Sequence, residues 1–305
     1  MRIVAILNRD GGTLRTMDLE AFGKQAVEIF SRNGHALECR IVAGRNVETE
    51  LRRVADTRGI DVVLAAGGDG TISTAAGIAF ESGMPLAVLP AGTMNLFARA
   101  LQLPLDLTAA MEAVAAGEIG AVDIATANGR AFVHQFGVGV HARLVRIRER
   151  MTYRSRIGKM LASLRAIAEA AVRPPQFEAE IHTRNGRERL RVSGIAVSNN
   201  PLGDGHIPHA DRLDAGLLGV YMAAPISTWA LIRLAVDVLL GKWRTSDAVT
   251  EQEVEQVTLS FPRRKHNAHA VIDGELIKLA PSVTLKVHPG ALKVLLPRPT
   301  QAGAG

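Results

Sequence analysis

The sequence is poor in cysteine, with one residue, Cys39, in 305. A single thiol excludes an internal disulfide framework and any zinc site built from cysteines, and it fits a reducing compartment such as the cytoplasm. Aromatic residues make up only 4% of the chain, too few for a base-stacking platform, so nucleic acid is not expected as a partner. Neither sign of charge dominates: 36 Lys and Arg against 30 Asp and Glu leave +6 at neutral pH, with a pI near 9.9. Long apolar runs are absent. The stretch Ala230–Leu240 is broken by Arg233 and Asp237 and is too short to span about 30 Å of hydrocarbon. The apolar start Ile3–Leu7 runs straight into Asn8-Arg9-Asp10-Gly11-Gly12 without a cleavage-like site, and reads as a buried first strand rather than a signal peptide.

What is present is the composition of a folded protein, 47% hydrophobic and 22% charged. The length predicts about two domains at roughly 150 residues each. Over the first 125 residues, apolar runs at Ile3–Leu7, Leu37–Val42, Asp61–Ala66 and Leu86–Leu89 alternate with amphipathic stretches. Those stretches, Leu19–Asn33, Val47–Arg58, Ile72–Ser82 and Asp106–Ala116, predict helices between strands of a parallel sheet. The rest, 126–300, reads as a mostly antiparallel β domain. Its signals are Phe177–Thr183 and Arg189–Ser198 around Asn185-Gly186, then Leu217–Met222, Val254–Phe261, His269–Ile272, Val283–Val287 and Ala291–Leu296. Pro289-Gly290 predicts a turn between the last two, and helices are predicted at Ser155–Val172 and Ser227–Leu240.

Three glycine-bearing loops follow strands of the first part. Gly67-Gly68-Asp69-Gly70-Thr71 opens a helix, so its backbone N–H groups form an anion site that the glycines leave open to close approach. An acidic Asp69 there suits a metal bridging to phosphates, or a substrate hydroxyl; the plain alternative is a tight turn with Asp as a cap. Pro90-Ala91-Gly92-Thr93-Met94-Asn95 also opens a helix, with Thr93 as ligand group or as N-cap. Asn8-Arg9-Asp10-Gly11-Gly12 is the third, at the same sheet edge. In the β-rich part, Asp273-Gly274-Glu275 sets two carboxylates around a glycine, which serves a general base or a simple hairpin turn. Nine Arg and Lys between His141 and Arg173, with apolar residues on one helical face, fit an anionic membrane surface or a solvated face over a core.

The Gly67–Thr71 loop followed by Pro90–Arg99 resembles the diacylglycerol kinase catalytic domain family, bacterial soluble lipid kinases related to sphingosine kinases and NAD kinases. The opening Asn8 loop, Arg212–Leu218 and Asp273-Gly274-Glu275 stand in that family's order. The resemblance implies a Rossmann-like α/β domain, an antiparallel β-sandwich, and a kinase using ATP and Mg²⁺ on the hydroxyl of a lipid such as diacylglycerol. It implies that Asn8, Arg9, Asp10, Gly11 and Gly12, Gly67, Gly68, Asp69, Gly70, Thr71, Ile72 and Ser73, and Gly92, Thr93 and Asn95 line the nucleotide. Asp69 would help place Mg²⁺, Glu275 would accept the hydroxyl proton, and Asp273 would support it. Asp214 falls in the family's structural-metal segment, where Ala215 replaces the second of two adjacent acids. The expected setting is the cytoplasm, peripheral to the inner membrane face, with a homodimer as a further expectation. The rivals are a soluble-substrate kinase of NAD-kinase type and a non-catalytic regulatory module.

Overall fold

Uncharged runs of valine, leucine and alanine have no polar face to show to water, so they form strands covered on both sides. In the computed structural model, which describes residues 1–149, 174–184, 186–204, 208–239 and 248–298, β3 (Val62–Gly67) and β4 (Leu86–Pro90) are buried at every position. They pair in parallel with each other and, through β3, with β1 (Arg2–Asn8), which carries β2 (Ala36–Val42) on its other side. The order β2-β1-β3-β4 reverses direction at β1 and β3, which makes the crevice beyond their carboxyl ends a ligand site in open α/β sheets. Helices α1 (Leu19–Arg32), α2 (Val47–Ala55), α3 (Asp69–Ser82), α4 (Leu96–Ala100) and α5 (Leu107–Ala115) complete this unit. Asp18 caps α1 by accepting from the N–H groups of Glu20 and Ala21, and Asp106 caps α5 through Ala109.

The chain divides between Ile124 and Ala125, inside β5 (Glu118–Ala127). The second unit runs to His288 and holds two antiparallel sheets. One contains β12 (Val249–Val254), β11 (Leu218–Ala223), β10 (Gly194–Asn199), β7 (Gln135–Gly139), β14 (His269–Ile272) and β15 (Glu275–Lys278), in that order. The other pairs β8 (Phe177–Thr183) with β9 (Gly186–Val192) and with β13 (Gln256–Ser260), which pairs in turn with the first part of β16 (Ser282–Leu296). Phe136, Val197 and Val220 from one sheet and Leu259 and Leu285 from the other share one apolar core, each at most 1% exposed. The short β6 (Arg130–Phe132) pairs with β5. Helix α6 (Val140–Glu149) follows β7, and α7 (Thr228–Leu239) lies between β11 and β12.

Two expectations change. The run Arg189–Ser198 is two strands, not one: β9 and β10 belong to different sheets, and Ser193 forms the corner between them. That serine is fully buried, and its hydroxyl accepts the N–H of Ile226 at 3.1 Å. Pro289-Gly290 is not a hairpin turn either. β16 continues through it, and from Pro289 the chain returns to the first unit, where Val294 pairs in parallel with Leu86. The second unit therefore ends at His288 rather than at residue 300. Gly290 takes the left-handed φ of 61°, and its N–H donates to the buried Asp123 at 2.9 Å, so a side chain from β5 stabilises the bend where a hairpin partner is missing. The predicted helix Ser155–Val172 lies outside the described residues.

Removing the Asp123 carboxylate deprives the Gly290 N–H, at an exposed bend, of a charge-assisted hydrogen bond. Asp123→Ala is expected to cost about 1–3 kcal/mol of stability, and Asp123→Asn, which keeps an acceptor, markedly less. Chemical denaturation monitored by circular dichroism checks the order.

Candidate functional site

The loops after β1, β3 and β4 all leave the carboxyl edge of the parallel sheet, and side chains bind them to one another. Asn8, the last residue of β1, donates from Nδ2 to Thr71 Oγ1 in the first turn of α3 at 2.9 Å. Its Oδ1 accepts the N–H of Asp10 at 3.1 Å, and Asp10 in turn accepts the N–H of Gly44 at 2.7 Å. Thr13 donates to the carbonyl of Ala91 at 2.8 Å, joining the first loop to the third. Arg9, Asp10 and Thr93 are exposed, Asn8, Gly68, Asp69, Thr71 and Ser73 are half-buried, and Ile72 points into the core.

Asp69 organises the junction of the second and third loops. It is the first residue of α3, and its two carboxylate oxygens accept the N–H groups of Leu96 at 2.7 Å and Asn95 at 3.2 Å. It thereby caps α4, whose N-cap Asn95 sits at a left-handed φ of 52° and makes no capping bond of its own. Asn95 instead closes the loop on itself, accepting from Gly92 N–H at 2.8 Å and donating to Gly92 carbonyl at 3.2 Å. A carboxylate oxygen that accepts one N–H keeps a further lone pair, so Asp69 can hold this loop and still offer an oxygen to a cation.

The glycines fall into two groups. A Cβ on Gly92 would stand 2.8 Å from the Gly68 Cα, and one on Gly67 would stand 2.6 Å from the Thr71 side chain, so packing alone demands both. Gly70 is different. It lies inside the first turn of α3, is exposed, and a Cβ there would meet nothing within 4 Å. Alanine would serve the helix better, so the bare backbone at Gly70 has no internal cause. Nor does a side chain cap this end of α3, since its N-cap is Gly68. Open N–H groups, a bare Gly70 and a nearby carboxylate fit a phosphate group carrying a metal ion.

In the second unit, Asp273 and Gly274 take φ of 46° and 87°, the two left-handed positions of a type I′ turn, and join β14 to β15 with Ile272 opposite Glu275. Asp273 does more than turn the chain. Its carboxylate accepts the N–H groups of Val133, His134 and Gln135, each at 2.9 Å, while its own N–H donates to the Gln135 carbonyl at 2.9 Å. It thus fixes the entry to β7. Glu275 is the exposed carboxylate of the pair, with 66% of its side chain open to solvent and an ion pair to Arg130. Arg130 did not emerge from the sequence, because its partner lies 145 positions away and no local pattern marks it.

Asp214 pairs with Arg212 at 2.9 Å, and this hydrogen bond holds its carboxyl below the ordinary carboxylate value. The neighbouring Ala215 offers only its N–H, which donates to Asn200 Oδ1 at 2.9 Å. Among the described residues no three His, Cys, Asp or Glu side chains gather to hold a metal. Burial pushes the Cys39 thiol up to about 11, far from the range of a nucleophile.

Comparison with known proteins follows the same division. Residues 2–127 match the model of the diacylglycerol kinase catalytic domain, and residues 135–296 match that of the YegS C-terminal NAD kinase β-sandwich-like domain. A diacylglycerol kinase of Bacillus subtilis is 24% identical over 275 residues, 87% of each chain. An uncharacterised Synechocystis protein is 27% identical over 256 residues, which are 80% of this chain but only 56% of that longer protein. A solved Bacillus anthracis structure assigned as a diacylglycerol kinase superposes with a TM-score of 0.75 over 97% of both chains at 19% identity, a likeness of fold. The α/β unit with its linked glycine loops and the antiparallel sandwich are thus the two parts of one known kinase architecture, and the chain belongs to the diacylglycerol kinase catalytic-domain family.

Proposed function

We propose that this chain transfers the γ-phosphoryl group of ATP to the hydroxyl of a lipid alcohol of the diacylglycerol class. The observation that carries the reading is Gly70, a helix residue kept bare for no internal reason beside open N–H groups and Asp69. Names of relatives agree, since the Bacillus subtilis protein is a diacylglycerol kinase.

In this reading the first turn of α3 and the loop after β4 receive the phosphates, and Asn8 holds Thr71 in place beneath them. Mg²⁺ bound with ATP, with Asp69 as its protein ligand, would neutralise charge on the phosphates. Glu275 takes the proton as the acceptor oxygen bonds to the γ-phosphorus and the bond to ADP breaks. Arg130 holds that carboxylate in an ion pair until the hydroxyl arrives. Asp273 is a positioning residue, since its lone pairs serve three backbone N–H groups. Catalysis rests on placement and charge neutralisation. The sites of action are the cytoplasm and its membrane surface; no described helix is long and apolar enough to cross a membrane.

Labelled ATP with a panel of diacylglycerol, monoacylglycerol, sphingoid base and NAD tests the acceptor class; product only with NAD would replace the reading by a soluble-substrate kinase. Gly70→Ala is expected to leave the fold as stable or up to about 1 kcal/mol more stable, while raising the KM for ATP. Thermal melting and transfer kinetics read the two effects separately, and an unchanged KM would remove Gly70 from the phosphate site.

Glu275→Gln is expected to lower kcat by about 10²–10⁴ with an unaltered melting curve, because the side chain is exposed and its loss uncovers nothing. Asp69→Ala should behave otherwise, abolishing transfer and also costing about 1–3 kcal/mol as the N–H groups of Asn95 and Leu96 lose their acceptor. Equal melting curves for the two variants would contradict the capping role of Asp69.

A further inference from the structure

Two tight turns of the second unit, each an Asp or Asn followed by Gly at left-handed φ, deliver the Arg130–Glu275 pair. The Asp273-Gly274 turn carries Glu275, and Asp273 is held by three backbone N–H groups. The other turn is Asn128-Gly129, with φ of 49° and 84°, which joins β5 to β6 and puts Ala127 opposite Arg130. A plain type I′ hairpin needs from asparagine only its tolerance of positive φ. At position 128 the side chain is used as well.

Strand β5 pairs with β16, and Asn128 continues the bonding past the end of β5. Its N–H donates to the Thr284 carbonyl at 2.9 Å, and its Oδ1 accepts the Thr284 N–H at 2.8 Å. Its Nδ2 donates to the Ser282 carbonyl at 3.0 Å. These bonds fasten the turn to β16, where Thr284 and Ser282 are backed by β13 through hydroxyl contacts with Thr258 at 3.0 Å and Ser260 at 3.3 Å. Two residues on, Arg130 leaves this anchored hairpin and donates to the Glu275 carboxylate. Stability gives no reason for such anchorage. The paired side chains are 47% and 66% open to solvent, and ion pairs so exposed contribute little. Asn128, Gly129 and Arg130 are all exposed, so the turn covers no core.

We infer that Asn128 is a positioning residue for phosphoryl transfer: by fastening its turn to β16 it fixes where Arg130 presents its guanidinium, and through Arg130 it sets the direction of the Glu275 carboxylate. An exposed glutamate side chain explores many rotamers, and a proton acceptor works when an oxygen faces the hydroxyl. A planar guanidinium orients the carboxylate it pairs with, provided its own stem starts from a rigid point. Asn128 supplies that point, because both ends of its amide are bound to backbone that the β13–β16 ladder holds. The inference rests on Glu275 as the proton acceptor. Asn128 itself handles no proton and acts through Arg130.

Asn128→Gly keeps the left-handed turn and removes both side-chain bonds, while Asn128→Asp keeps the acceptor for Thr284. With ATP and diacylglycerol, Asn128→Gly is expected to lower kcat roughly tenfold at unchanged KM for ATP. Asn128→Asp should lie between it and the wild type, and Arg130→Gln should fall at least as far as Asn128→Gly. In the Glu275→Gln background, Asn128→Gly is expected to cost nothing further. A second readout needs no ATP. In NMR relaxation of isotope-labelled glutamate side chains, with the Glu275 signal identified by its loss in Glu275→Gln, Glu275 is expected to move faster in Asn128→Gly and in Arg130→Gln. Melting curves separate these effects from unfolding, and Asn128→Asp carries the comparison if Asn128→Gly is unstable. Full transfer by Glu275→Gln would overturn the proton-acceptor reading and this inference with it. Unchanged Glu275 motion in Asn128→Gly, a raised KM with unaltered kcat, or a further loss in the double variant would overturn the inference alone.

Discussion

The candidate phosphate site depends on one carboxylate. Asp69 begins one helix and caps another, and by accepting the N–H groups of Asn95 and Leu96 it ties the loop after β3 to the loop after β4. Without it the left-handed Asn95 would have to stand on its own ring of bonds with Gly92, and the short helix α4 would lose its N-terminal acceptor. Local strain at Asn95 is thus borne by a charge-assisted hydrogen bond from a neighbouring element, the usual condition for a non-glycine residue to persist at positive φ. The close approach of Gly68 to Gly92 follows from the same link, and so does the demand for glycine at position 92. Rigidity here has a function: donors aimed at a phosphate cost no reorganisation when charge develops.

The second unit uses the same device with a different result. Asp273 also accepts backbone N–H groups, three of them, and also occupies a strained φ in a tight turn. Its lone pairs are committed to holding the entry to β7, whereas Glu275, two residues on, faces solvent and is ion-paired with Arg130. Two carboxylates on either side of one glycine are therefore chemically unequal. Backbone amides make one of them a fixed structural acceptor, and exposure leaves the other free to exchange partners. A proton acceptor has to belong to the second kind, because a carboxylate surrounded by donors gains little from one proton more.

Much of the first unit was legible because its signals are local. Apolar runs of strand length, helical periodicity and glycine-rich loops are each confined to a dozen residues, and the observed helices α1 and α3 begin or end within three residues of their expected limits. Legibility failed wherever distant residues decide. Nothing near Pro289-Gly290 announces that Asp123 will stabilise the bend, and so a strand crossing from one unit to the other reads as a hairpin. Near Ser193 the charged β9 gives way to the uncharged β10, but that shift does not by itself mark a corner between sheets, and the break shows in which neighbours they pair with. Arg130 and Asn200 escaped for the same reason: their partners Glu275 and Ala215 are remote in sequence.

The candidate site itself was half legible. Residue types at the loops were readable, but their division of labour was not. Asp69 and Asn95, expected at the ligand, spend hydrogen bonds on each other's loop, and Ile72 turns inward to the core. Gly70, one glycine among several in the motif, proves to be the residue whose identity the protein's own packing does not explain. That contrast is physical rather than statistical. A glycine demanded by a neighbour's atoms says only that the fold is tight, whereas a glycine facing empty space inside a helix carries a helix-propensity cost that no internal contact offsets. Such a cost is tolerated where something from outside must come close, and at the amino end of α3, with open N–H groups and a carboxylate alongside, what fits is a phosphate.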